Sequence, residues 1–163
     1  MRMPKQKPGR SKQDYETPPE FIEAVESRFG KIDFDLAASL SNTKAPRFFS
    51  TELKQTNALA SDNDWRELNR VRVAWLNPPF SLIPKFIERA ERCRDLKRWT
   101  LVLVPGSIGT VWWKKHVLNK AYIDGIPRLT FVGEPDPYPK DLALLAYGYG
   151  ISGFGYWDYR LNQ

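Results

Sequence analysis

Asn77-Pro78-Pro79-Phe80 follows directly on the apolar run Val71-Arg72-Val73-Ala74-Trp75-Leu76. A β-branched and aromatic run stopped by Asn-Pro-Pro predicts a buried strand that ends at a rigid loop. Each proline fixes φ at about −65° and lacks an N–H, so the pair stiffens the loop and leaves its carbonyls without competing donors beside them. Asn77 brings a side-chain carbonyl acceptor, Pro78 a main-chain one, and Phe80 a flat ring face. Two acceptors that grip the N–H bonds of an exocyclic amine, while a ring stacks on its plane, are what methyl transfer to a nucleobase amine requires. Such an amine is a poor nucleophile because its lone pair is delocalised into the ring. Acceptors that orient its hydrogens bring the lone pair out of plane. Fixed carbonyl dipoles also favour the positive charge that develops on nitrogen during attack.

The surrounding pattern indicates how these residues are positioned. Ile32, Phe34 and Leu36 alternate, which predicts a short strand left through Asp35-Leu36-Ala37-Ala38-Ser39. Asp35 and Asn77 are then each expected just past a strand end. Ligands in open α/β sheets sit at the carboxyl ends of strands, so the two define a candidate crevice. Upstream, Thr17-Pro18-Pro19-Glu20 has the form of a capping box, with Thr17 as N-cap and Pro18 at the first helical position. Phe21, Ile22, Val25 and Phe29 make the apolar stripe of that helix, and Gly30 its C-cap.

Downstream, Leu82, Ile83, Phe86, Ile87 and Ala90 predict an amphipathic helix to about Asp95, and residues 100–104 a fully buried strand. Residues 110–118 read as a helix. Phe48-Phe49, Tyr122-Ile123 and Leu129-Thr130-Phe131 are short strand candidates. Residues 133–140 read as a mobile loop, and 142–149 and 151–159 as closing strands. The expected fold class is α/β: one Rossmann-like domain, a mostly parallel sheet with helices on both faces and a C-terminal antiparallel hairpin.

The 163 residues suit one domain with a real core. Residues 1–13 read as a disordered basic tail and 14–163 as the folded domain. Five of the cations stand in the first twelve residues, which leaves 20 against 19 acids in the remainder. The net charge of +6 is therefore carried mainly by the tail, either a solvated terminus or an arm for phosphates. One cysteine, Cys93, excludes an internal disulfide framework, and one histidine, His116, argues against a histidine-based catalytic triad or metal site. No metal, no membrane span and no signal peptide are expected, and a cytoplasmic setting fits.

Taken in order, Tyr15-Glu16-Thr17-Pro18-Pro19-Glu20, Phe34-Asp35-Leu36-Ala37-Ala38 and Asn77-Pro78-Pro79-Phe80 resemble the signature regions of amino-methylating DNA methyltransferases. The likeness is to the short phage-type (Dam-like) DNA N-6-adenine methyltransferases. Leu103-Val104-Pro105 with Thr110 and Trp112-Trp113, then Arg128-Leu129-Thr130-Phe131, resemble that family's later elements. The resemblance covers residues 14 to 131. It implies methyl transfer from S-adenosylmethionine to a flipped adenine in double-stranded DNA, in a bacterial host cytoplasm if the gene is a phage's, by a monomer.

By position, the resemblance gives Asn77, Pro78, Pro79 and Phe80 catalytic and base-handling roles. It gives Tyr15, Thr17, Pro18, Asp35, Ala37, Ala38 and Asn57 to the cofactor. Asn57 replaces an acid usual in the family, and Ala and Ser stand where most methyltransferases have a glycine-rich turn. Asn-Pro-Pro-aromatic loops also serve cytosine-N4 and protein-glutamine methyltransferases, and a DNA-binding relative that has lost cofactor binding is a further alternative. Groove readout falls to residues 40–65 and 133–140, which implies a short or relaxed target site. The basic stretch Lys85, Arg89, Arg92, Arg94, Lys97 and Arg98 is either a solvated helix face or a phosphate contact.

Overall fold

The computed structural model describes residues 15–50 and 57–161. The basic tail of residues 1–13 lies outside them. Three helices, α1 (Pro19–Phe29), α2 (Ile83–Glu91) and α3 (Val111–His116), pack on a seven-stranded sheet. The strands are β1 (Phe34–Ala38), β2 (Arg47–Ser50), β3 (Val73–Leu76), β4 (Trp99–Pro105), β5 (Tyr122–Ile126), β6 (Leu142–Tyr147) and β7 (Gly153–Tyr156), in the order β2-β1-β3-β4-β6-β5-β7. Strand β6 runs antiparallel to both its neighbours, while every other pairing is parallel.

The central strands are buried on both faces, which is why they read as nearly unbroken apolar runs. Phe21 and Val25 of α1 pack with Trp75, Leu101, Leu103 and Leu144 on one face. Phe86 and Ile87 of α2 and Trp113 of α3 pack with Leu36, Leu76, Val102 and Leu145 on the other. The chain leaves β1 for β2 on one side and returns to β3 on the other, so the sheet's switch point lies between β1 and β3.

Several expectations need correction. Helix α1 begins at Pro19, and its N-cap is Pro18 at φ −63°, ψ 141°, with no side-chain cap. A residue that precedes proline is pushed out of the helical region, so neither Thr17 nor Pro18 can enter the helix. Gly30 does end α1, at φ 103°, with its N–H donating to Glu26 O. Strand pairing in β1 begins at Phe34, because the Asp33 carboxylate accepts from Arg72 N and Val73 N and marks the entry. Asp35, Ala37 and Ala38 therefore lie inside the strand, not in a turn after it.

Residues 129–131 form no strand. Leu129 O instead accepts from Tyr138 N at 2.8 Å, and Phe131 O from Glu134 N at 3.0 Å, which ties down the 133–140 loop. The antiparallel pairings of the C-terminal half are β6 with β4 and β6 with β5. Strands β6 and β7 do not form a hairpin, since β5 lies between them and pairs parallel with β7.

The basic stretch in and after α2 is partly engaged within the fold, while Lys85 and Lys97 are exposed. Arg89 donates to the carbonyls of Asn63, Leu59 and Ala60. Buried Arg98 donates to Leu68 O at 2.7 Å and to Trp65 O. Trp65 is a packing residue, 2% exposed, with its indole N–H on Ala58 O. On the same face Glu91 accepts from Lys120 Nζ and pairs with His116 Nδ1, each at 2.6 Å. Burial alone would push the Glu91 carboxyl up. The hydrogen bonds from Lys120 and His116 outweigh it and hold the pKa below the ordinary value.

Candidate functional site

A narrow cleft opens at the switch point, lined by residues that include Glu16, Thr17, Asp35, Lys44, Trp75 and Asn77. Three segments build it: residues 15–17 before α1, β1 with the turn that follows, and the corner at 77–79.

The corner is set by its sequence. Leu76 is the last residue of β3, fully buried and paired with Val102. Asn77 and Pro78 both precede proline and stay extended. Pro79 O then accepts from Leu82 N at 2.9 Å and turns the chain through the 3-10 segment Phe80–Leu82 into α2.

Asn77 is held from across the cleft. Its Nδ2 donates to Tyr15 O at 2.6 Å and to Thr17 Oγ1 at 3.1 Å. Tyr15 O is a carbonyl and can only accept, so the amide has one orientation and its nitrogen must face residue 15. Both amide hydrogens are engaged. Among the described residues, none donates to Asn77 Oδ1 or to Pro78 O. The hydroxyl that the capping-box pattern assigned to the helix start instead braces this amide.

Tyr15 does more than supply a carbonyl. Its ring stacks on Phe80 with centroids 5.3 Å apart at 29°, and lies 5.0 Å from Phe131 and 5.6 Å from Tyr138. Tyr138 also meets Phe80 edge-on at 5.5 Å. Each such pair adds about 0.5–1.5 kcal/mol beyond area burial, enough to fix the tilt of Phe80. Burial, and secondarily Tyr15, raises the pKa of the Tyr138 phenol, which stays neutral at ordinary pH. Val132 N donates to Glu16 O at 3.0 Å, so the 129–138 segment and the 15–17 segment form one support.

Asp35 occupies the other wall. It pairs with Trp75 in register, two residues before Asn77, and is 3% exposed. Its Oδ1 accepts from Ala37 N at 3.2 Å and its Oδ2 from Lys44 N at 2.9 Å. Burial raises its pKa, and those two backbone bonds and the Lys44 charge offset the rise only in part. The Lys44 ammonium pairs with Glu16 at 2.9 Å. Ser39 N donates to Asn42 Oδ1 at 2.8 Å, which closes the turn that brings Asn42 and Lys44 over Asp35. Carboxylates on Asp35 and Glu16 and an ammonium on Lys44 suit a zwitterionic ligand.

Of the residues the sequence assigned, Tyr15, Thr17, Asp35, Ala37, Asn77 and Pro79 line the cleft, and Phe80 adjoins it through Tyr15. Pro18, Ala38 and Pro78 are buried beside it and do not line it. Asn57 is exposed in a separate turn, its Oδ1 accepting from Leu59 N, and is not brought to the cleft. Glu16, Ser39, Asn42, Lys44, Trp75 and Tyr138 were missed. Residues 40–65 read as irregular because this turn is closed by side chains. Tyr138 stood in a proline-rich loop with no periodicity to mark it.

An open, mostly parallel α/β sheet with an acidic residue on β1 and a polar diproline corner after β3 is consistent with a Rossmann-like methyltransferase fold. The family model for DNA N-6-adenine-methyltransferase (Dam) matches residues 5–140, and the chain belongs to that family. A DNA N-6-adenine-methyltransferase of Escherichia phage T1 is 33% identical over 109 residues, 67% of this chain and 42% of that protein. The chain thus matches about two fifths of the length of that relative.

Proposed function

We propose that this protein transfers a methyl group from S-adenosylmethionine to the N6 amine of an adenine in double-stranded DNA. The observation that carries the reading is the Asn77 amide, its nitrogen bonded to Tyr15 O and Thr17 Oγ1 and its oxygen without a donor among the described residues, with the ring of the same Tyr15 stacked on Phe80. Family membership supports the same substrate.

S-adenosylmethionine supplies an electrophilic methyl on a sulfonium centre. Asp35 would hold the ammonium of its amino-acid end, and the Glu16–Lys44 pair would hold the rest of that zwitterion. Ala37 and Trp75 give the cleft wall its apolar area. Asn77 Oδ1 and Pro78 O accept the two amine hydrogens and turn the nitrogen lone pair toward the cleft. Their dipoles are fixed before reaction, so they favour the developing positive nitrogen without reorganisation. The nitrogen would gain the methyl as the sulfonium S–C bond breaks and its electron pair stays on sulfur in the departing thioether. It would release one proton to solvent, with no strong base needed.

The base must leave the helical stack, at a cost of a few kcal/mol. Stacking on Phe80 returns about 1–3 kcal/mol of it. The test is to incubate the protein with methyl-labelled S-adenosylmethionine and duplex DNA, digest to nucleosides and analyse by mass spectrometry. Label in N6-methyldeoxyadenosine is expected. Label in N4-methylcytosine would overturn the substrate, and absence of both label and binding heat would leave a non-catalytic DNA-binding relative.

A further inference from the structure

The residues 106–109 make a tight turn at the carboxyl end of β4. Gly106 N donates to Asp141 O at 2.8 Å, Ser107 N to Pro105 O at 2.8 Å, and Ile108 N to Gly106 O at 3.0 Å. Thr110 closes the turn with both its N–H and its hydroxyl on Ser107 O, and then caps α3 by accepting from Trp113 N. This braced turn holds Ile108 outward at 74% exposure, and Val111 beside it is 81% exposed. Two branched apolar side chains so far into water gain nothing for the fold, whose core lies behind Trp113.

Their place relative to the corner is fixed by register. Leu76 pairs with Val102, and β4 runs three residues further to Pro105 before the turn begins. The turn therefore projects past the corner on the neighbouring strand, about 4.8 Å away in the sheet. Ser107 shares a surface recess with Arg128 and with Pro139, Lys140 and Asp141, which follow in the chain the Tyr138 that packs on Phe80. Arg128 donates there to Asp141 Oδ1 at 3.4 Å, and Lys140 is the exposed cation of that flank. Lys114 lies on the other flank, in the groove that Ile108 and Val111 form with Leu118 and Phe154. Apolar tips between flanking cations match a duplex, which offers phosphates on both sides of a stack of apolar base faces.

We infer that Ile108 and Val111 form a wedge that enters the DNA stack and holds open the place vacated by the target base. The inference rests on the DNA reading above and assigns positioning residues for it. The side chains touch neither the cofactor cleft nor the reacting nitrogen. They act by lowering the cost of extrusion, so their effect is confined to substrates whose target is paired.

The test compares wild type with the double variant Ile108→Ala, Val111→Ala, and with Ile108→Leu, Val111→Leu. The substrate is a synthetic duplex carrying the site that sequencing finds methylated by the wild type. One form is fully paired and the other has an abasic position opposite the target adenine. The alanine variant should methylate the paired duplex about tenfold to a hundredfold more slowly, and the abasic duplex within about threefold of wild type. The leucine variant, which keeps the bulk, should recover most of the paired activity. An equal loss on both duplexes, or no loss on either, overturns the wedge. So does loss accompanied by a changed elution volume, which would make this groove a protein interface. A wild type that methylates neither duplex nor genomic DNA overturns the activity itself, and is recognised before any variant is made.

Discussion

Asn77 lies just past the end of β3, two residues beyond the register partner of Asp35 in the adjacent β1, and the two are held in opposite ways. Asn77 has its donors fully engaged by Tyr15 O and Thr17 Oγ1, and its one acceptor is aimed by that engagement. Asp35 is buried with two backbone donors and, among the described residues, no side-chain cation on its oxygens. Its pKa is raised by burial. The first side chain is finished and rigid, which suits a group that must present a dipole before reaction. The second is under-neutralised, which suits a group that awaits a cation. The proposed function thereby assigns catalysis and cofactor capture to different chemical states of two neighbours, and separate experiments can act on each.

The largest effect is expected on the finished side. Asn77→Ala removes the aimed oxygen and should lower kcat by about 10²–10³-fold, by analogy with the loss of one preorganised dipole, while thermal unfolding moves little. On the other side, Asp35→Asn should weaken S-adenosylmethionine binding by about 10- to 100-fold, the range of a hydrogen bond to a charged group, as calorimetry would measure.

The pH dependence sharpens the contrast. Because the folded-state pKa of Asp35 lies above the ordinary 3.8, folded protein holds a proton there that the unfolded chain has released. This group's contribution to stability is present below 3.8 and is lost as pH rises through the raised value. A cationic ligand needs the carboxylate, so its affinity should fall as pH is lowered through that window. Titration calorimetry on wild type and Asp35→Asn should show the pH dependence in the first and a flatter profile in the second.

Smaller effects should follow at the supports. Phe80→Ala should raise the KM for DNA by roughly 5- to 100-fold, the range for loss of one stacked base, with cofactor affinity nearly unchanged. Thr17→Val leaves Tyr15 O as the one acceptor for the amide. It should lower kcat by about fivefold, as expected for one neutral hydrogen bond. If Thr17→Val instead altered only stability, the hydroxyl would be a structural part and not a brace.

Much of this arrangement was legible in the chain because local rules agreed with the fold. The strand before Asn77, the diproline corner and the stripe of α1 follow from apolar pattern and proline geometry. Thr17 shows where two local rules conflicted. The capping-box pattern favoured it as N-cap, yet Thr17-Pro18-Pro19 and Asn77-Pro78-Pro79 are the same kind of extended segment, and the pre-proline restriction decides both. Once neither can enter a helix, their leading polar side chains are free to bond each other, as they do.

Asp35 lines the cleft, but its position inside β1 goes with Asp33 bonding the N–H groups of Arg72 and Val73, a contact across 39 and 40 residues that no window of sequence contains. Lys44, Glu16 and Tyr138 were hidden for the same reason. Each is placed by bonds or ring contacts with residues distant in sequence, and none by periodicity. Asn57, carried over from the resemblance alone, is the residue that does not reach the cleft.

The most direct measurement is a paired determination on Asn77→Ala and Asp35→Asn: the dissociation constant for S-adenosylmethionine by calorimetry, and methyl transfer to duplex DNA at saturating cofactor. Asn77→Ala should bind S-adenosylmethionine within about twofold of wild type and transfer almost nothing. Asp35→Asn should bind poorly and recover turnover when the cofactor is raised to saturation. Equal loss of binding in both variants, or an Asn77→Ala protein that still methylates DNA at the wild-type rate, would contradict the division of labour on which this account rests.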